Sequence, residues 1–184
     1  KSLKFNDYLI NKKNKLIENQ TYLIGIHIRT LKEKYDRADA DKNNHFKSFE
    51  SPIDYYFDVI DQVLENTKKF KPNLYISTND SIIKNKLIDK YKNSIFQEKV
   101  EYERNSKDSM LNCVVDFLVL SSCQFILGTH YSSFSDEACF MNLTSKYCMT
   151  HNNPIRGYHT YGYDEKLNMI LPNSFTKKYL KFIK

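Results

Sequence analysis

The chain has 184 residues, 41% of them hydrophobic, which fits one globular domain able to bury roughly two-thirds of the surface of its unfolded chain. Only four residues are glycine (Gly25, Gly128, Gly157 and Gly162), so neither G-x-G-x-x-G nor G-x-x-x-x-G-K-[ST] can be written, and the standard glycine-rich dinucleotide and P-loop devices are excluded. The net charge of +6 comes from 24 lysines scattered through the chain against four arginines, with no aromatic interleaving of a basic run, which favours solvated helix faces over a nucleic-acid patch.

Taken in chain order, 5–18 reads as a lysine-rich helix and 22–28 as a short apolar strand, followed by a polar stretch over 29–51 without period. Pro52 suits the first turn of a helix, and Ile53, Tyr56, Phe57, Ile60, Val63 and Leu64 then form one apolar stripe. A second strand is expected at 74–77, a second helix over 82–91 and a weak third strand at 94–96. A strongly apolar helix over 110–121, a strand at 124–127, a helix over 133–142 and a last strand at 146–149 complete the pattern. Repeated strand-helix units predict an α/β fold, a mostly parallel sheet with helices on both faces. The remainder, 151–184, is irregular, with a short helix expected over 174–183. The organisation is therefore a helical segment at 1–20, one α/β domain at 21–150 and the tail.

The cysteines, Cys113, Cys123, Cys139 and Cys148, have neither zinc-site spacing nor the density of a disulfide scaffold, and free buried thiols are the expectation. No signal peptide and no apolar run of about 18 residues is present, so no membrane contact is expected of this segment. The chain opens on Lys1 rather than Met, which fits a piece excised from a longer protein.

In an open parallel sheet, ligands bind beyond the carboxyl ends of the strands. The polar residues there are His27 and Arg29 after the first strand and Asn79 and Asp80 after the second. Arg104 follows the third, and Thr129, Ser132, Ser133 and Ser135 follow the fourth. Two of four arginines thus fall on one edge, where a planar guanidinium suits bidentate phosphate contact better than lysine does. The serine run either caps its helix or, with the free N–H groups of the first turn, receives an anionic group. Asp116, flanked by Val114, Val115, Phe117 and Leu118, is an acid in an apolar helix and needs a donor, which a ligand, a lysine or a cap could supply. His27, at an inward strand position, is read first as a hydrogen-bonded core residue and second as a chemical group.

His27-Ile-Arg29, Tyr75-Ile-Ser-Thr-Asn-Asp80, Asp116-Phe-Leu-Val-Leu-Ser121 and Gly128-Thr-His-Tyr-Ser-Ser-Phe-Ser135, in this order, resemble the donor-binding half of the inverting fucosyltransferases. These are the α-1,2-, α-1,6- and protein O-fucosyltransferases of the GT-B fold, and the resemblance covers about residues 20–150. It implies a Rossmann-like nucleotide-sugar domain with GDP-fucose as donor substrate, no cofactor, no bound metal and a glycan or glycoprotein acceptor. It also implies that Arg29 grips the β-phosphate, that Asp116 and Ser132 hold guanine or ribose, and that Ser133 meets a diphosphate oxygen. Asn79 and Asp80 would then lie near the nucleoside or the fucose. The chain departs from the family at Thr30, where a second arginine commonly follows the first. The base that activates the acceptor is sought among Asp36, Asp39 and Asp41. A non-catalytic binding domain of the same fold is the alternative, and a basic nucleic-acid-binding domain a third. A complete chain of this kind would be cytoplasmic, and one with an anchor upstream would sit in the ER or Golgi lumen.

Overall fold

A computed structural model describes residues 5–30, 53–97, 106–129, 132–142 and 144–148. Among these, helix α1 (Asp7–Leu16) precedes strand β1 (Leu23–Ile28), followed by α2 (Ile53–Thr67) and β2 (Asn73–Thr78). Next come α3 (Ser81–Lys90), α4 (Lys107–Ser121), β3 (Phe125–Gly128), α5 (Ser133–Asn142) and β4 (Ser145–Cys148). The four strands are all parallel, in the order β2-β1-β3-β4. The α/β fold read from the sequence is the fold of the chain.

The expected third strand is reduced to a single parallel bridge between Ile95 and Tyr75, held by the Ile95 amide on the Leu74 carbonyl (2.7 Å) and the Ile76 amide on the Ile95 carbonyl (2.9 Å). With Ile95 outside β2, chain order runs outward from β1 in one direction through β2 to Ile95 and in the other through β3 to β4. The carboxyl ends of β1 and β3 therefore flank the point where strand order reverses, the place at which doubly wound sheets open a crevice.

Burial on both faces explains why β1 is a nearly continuous apolar run. Ile24, Ile26 and Ile28 face α2 and α3 together with Leu74, Ile76, Phe125 and Leu127, packed on Tyr56, Val59, Ile60 and Val63. Leu23, Tyr75 and Ile126 face the other layer, built from Val115, Leu118, Val119 and Leu120 of α4 and Ala138 and Cys139 of α5. Helix α1 joins that layer through Leu9, and Lys12 donates to Asn112 of α4 (2.6 Å). Gly25 lets α4 come this close, since a Cβ there would lie 2.8 Å from Leu120 Cδ2 and 3.2 Å from Cys123 Sγ.

Helix starts follow local chemistry. Asp80 caps α3, its carboxylate accepting from the Ile82 (2.9 Å) and Ile83 (3.2 Å) amides. Ser106 caps α4 by accepting from the Ser109 amide (3.0 Å), which starts that helix three residues before the expected Met110. A 3-10 turn, Lys68–Phe70, not expected from the sequence, ends α2 and leads through Lys71, in the left-handed region at φ 50°, to Pro72 and β2. The polar stretch after Thr30 and the tail from 151 lie outside the described residues.

Candidate functional site

The site is built at the carboxyl edge of β1 and β3. Strand alternation places Arg29 on the same side as His27, toward α4 and α5, at the point where the strand leaves the sheet. Arg29 is half-buried. Its backbone is fixed by Thr129, whose hydroxyl accepts from the Arg29 amide (2.8 Å) while the Thr129 amide donates to the His27 carbonyl (2.9 Å). On the other side, Asn79 clasps the next residue. Its side-chain oxygen accepts from the Thr30 amide (2.8 Å) and its nitrogen donates to the Thr30 carbonyl (2.9 Å). Thr129 and Asn79 thus hold the turn that carries Arg29, each from a neighbouring strand.

His27 is 5% exposed, with its ring 5.3 Å from that of Phe134, which in turn packs edge-on against Phe117. Burial, with the positive charges of Lys146 and Arg29 nearby, lowers its pKa from 6.5 to about 3. The imidazole is therefore uncharged and weakly basic at neutral pH. Its Nδ1 is buried and has no hydrogen-bond partner among the described residues, unlike the satisfied core histidine expected from its position.

Ser132 leads into α5. Ser132 and Ser135 are buried and Ser133 is exposed. The Ser135 hydroxyl donates to the Ser132 carbonyl (3.2 Å), as the first turn of a helix permits. The first-turn N–H groups of any α-helix lack intrahelical acceptors and carry the positive end of its dipole, so this turn offers donors to an anion. His130 and Tyr131, between β3 and this turn, lie outside the described residues, as do Arg104, Asp36, Asp39 and Asp41.

Asp116 finds its partners inside the fold. Tyr75 (2.5 Å) and the Gln97 amide donate to Oδ1, and Ser77 (2.7 Å) donates to Oδ2. Gln97 also donates to the Asn112 carbonyl (2.8 Å). Burial raises the Asp116 pKa despite these donors, and the adjoining carboxylate helps to push Tyr75 well above the ordinary tyrosine value after burial itself. Asp80, besides capping α3, is buried.

No family model matches the chain, and a search of curated proteins finds no match. The chain is similar to solved structures of a fucosyltransferase. One, NodZ alpha-1,6-fucosyltransferase co-crystallised with GDP, is 15% identical with a TM-score of 0.47, over 75% of this chain and 42% of that one. NodZ soaked with GDP-fucose is 14% identical with a TM-score of 0.48, over 79% and 45%. NodZ from Bradyrhizobium is 15% identical with a TM-score of 0.46, over 75% and 43%. The chain thus matches less than half the length of these structures.

Several residues of this region escaped the sequence reading. Tyr75 and Ser77 lie two apart on β2 and so on one face, and Asn112 and Asp116 lie four apart on α4. Both spacings were visible, but what brings Gln97 between them is tertiary. Lys146, in the expected last strand, has a side chain only 1% exposed, unlike the solvated lysines that the composition favours. Of the cysteines, Cys123 and Cys139 are buried as expected, whereas Cys113 is exposed. Among the described residues, no group of three or more His, Cys, Asp or Glu comes together to hold a metal ion, and no helix is long and apolar enough to cross a membrane.

Proposed function

We propose that this domain binds GDP-fucose and is the donor half of an inverting, metal-independent fucosyltransferase acting on a glycan or glycoprotein. One observation carries the reading. At the point where strand order reverses, Arg29 just after β1 and the serine-led start of α5 after β3 stand at the carboxyl ends of neighbouring strands, and both offer donors to an anion. In this reading Arg29 binds the β-phosphate, Ser133 meets a diphosphate oxygen, and the neutral His27 adds a hydrogen-bonding group beside them. Asp116 and Ser132 face guanine or ribose, and Asp116 Oδ2, which accepts from Ser77, keeps acceptor capacity for a nucleoside N–H or O–H. Asn79, Asp80 and Thr129 complete the surroundings, with Asn79 and Thr129 acting through the turn they hold.

Transfer with inversion passes through an oxocarbenium-like state while negative charge gathers on the departing diphosphate. A fixed guanidinium aimed at that charge stabilises the transition state more than the ground state, and groups of this kind are worth ~10²–10³ in rate. An acid from the segment after Thr30, with Asp36 the first choice, takes the acceptor proton.

Thermal unfolding with GDP, GDP-fucose, UDP and ADP tests the reading, which expects the guanine nucleotides alone to raise Tm. Equal shifts with all four, or none, would count against it. A second reading, binding without turnover, is favoured by Thr30. This residue stands where the resembling family has a second arginine, and its backbone is tied up by Asn79. Transfer of fucose to any acceptor would eliminate that alternative.

A further inference from the structure

Lys146 lies on β4, the fourth strand of the sheet, with its ammonium buried. Its Nζ is 2.7 Å from Asp136 Oδ1 and donates to the Ser132 carbonyl (3.1 Å). The stem reaches these partners by crossing Gly128 of β3, where an added Cβ would sit 2.8 Å from Lys146 Cε and 3.2 Å from Ser135 Oγ. A Cβ at 128 would force that stem to shift. The Ser132 carbonyl therefore gathers donors from two elements. The Asp136 amide (3.3 Å) and the Ser135 hydroxyl (3.2 Å) belong to α5, and the ammonium comes from the strand beyond it.

Burying an ammonium is unfavourable unless it is paired, and a well-packed apolar side chain of similar size is often as stabilising as a buried ion pair. What the lysine supplies that an apolar residue would not is direction, since it bonds both the residue that leads into α5 and the first helical turn. We propose that Lys146 is a positioning residue for the anion-binding turn. From behind, it sets residues 132–135 so that their donors face the end of β1 where Arg29 stands, and it adds positive charge beneath them. It does not touch the ligand. This inference rests on the nucleotide reading above.

The test compares Lys146→Met with the double variant Lys146→Met/Asp136→Asn, in which no carboxylate is left without its cation. Two measurements are made on each, amide hydrogen exchange along α5 and calorimetric titration with GDP. In Lys146→Met, exchange in the first turn of α5 is expected to accelerate at least about tenfold while the centre of α4 stays protected, and GDP affinity to fall about tenfold. The double variant should regain stability but not affinity. Should Lys146→Met fail to fold, the double variant carries both measurements. The proposal is overturned if exchange at the first turn is unchanged, or if the double variant binds GDP within twofold of the unaltered protein. Failure of the unaltered protein to bind any guanine nucleotide overturns the nucleotide reading instead, and the exchange measurement still decides whether Lys146 sets the turn.

Discussion

His27 near the end of β1 and Arg29 just beyond it have opposite electrostatic situations. His27 is inside the fold and held neutral, whereas Arg29 is half-buried and emerges at the rim. Because the folded-state pKa of His27, about 3, lies below its ordinary 6.5, the unfolded chain takes up the proton first. Its contribution to stability is complete above about pH 6.5 and is lost as the pH falls toward about 3, by up to ~1.4 kcal/mol per pH unit. Asp116 works in the opposite sense, since burial raises its pKa and acid favours its folded form. Urea unfolding from pH 7 to pH 4 should therefore show a smaller stability loss in His27→Leu than in the unaltered chain, and parallel profiles would refute the assignment. Removing the Asp116 carboxylate leaves Tyr75, Ser77 and Gln97 without their acceptor. Asp116→Ala is expected to destabilise by about 1–3 kcal/mol in the same measurement, and a change below about 0.5 kcal/mol would mean that water replaces the carboxylate. At this scale the sequence revealed which residues are unusual, an acid among valines and a histidine in an apolar strand, but not what they touch. Partners such as Gln97 come from a segment whose position depends on the whole sheet.

Among the elements, close approach matters more than propensity. Helix α4 lies against β1 because Gly25 leaves room for Leu120, and α5 is tied to β4 because Gly128 leaves room for Lys146. Gly25→Ala should overpack the interface between β1 and α4 and lower stability by about 1–3 kcal/mol, read as a shift in the urea midpoint with an unchanged slope. A neutral result would show that Leu120 swings aside without cost. The helices themselves were legible, since the 3.6-residue stripe of α2 and the apolar length of α4 follow from period alone. Their boundaries were less so where a cap decides them, as Ser106 does for α4. The expected third strand shrinks to a bridge because β-favouring residues at 94–96 signal extended backbone but not a ladder, and among the described residues only Ile95 makes it. The glycines could be used from sequence only to exclude known loops, because what a glycine admits is set by the element that packs on it.

The whole molecule is legible as an α/β sheet from the alternation of strands and helices, and its strand order is what turns scattered polar residues into a site. Residues 100 apart in the chain, Arg29 and Thr129, meet because β1 and β3 are neighbours, and strand order reverses between them, the place where doubly wound sheets bind ligands. The sequence placed Arg29, Asn79, Thr129 and the serine run on that edge. It did not reveal that Asn79 and Thr129 spend their side chains on the turn that presents Arg29, nor that a lysine on the next strand fixes the facing helix. The central claim is that this edge holds a guanine nucleoside diphosphate through Arg29. Calorimetric titration of GDP into the unaltered chain and into Arg29→Ala tests it most directly, since hydrogen bonds to a charged group are worth ~1.5–3 kcal/mol. The account predicts saturable GDP binding that weakens at least about tenfold in Arg29→Ala, with the variant's unfolding midpoint unchanged. Equal affinity in the two proteins, or no binding to the unaltered chain, would contradict it.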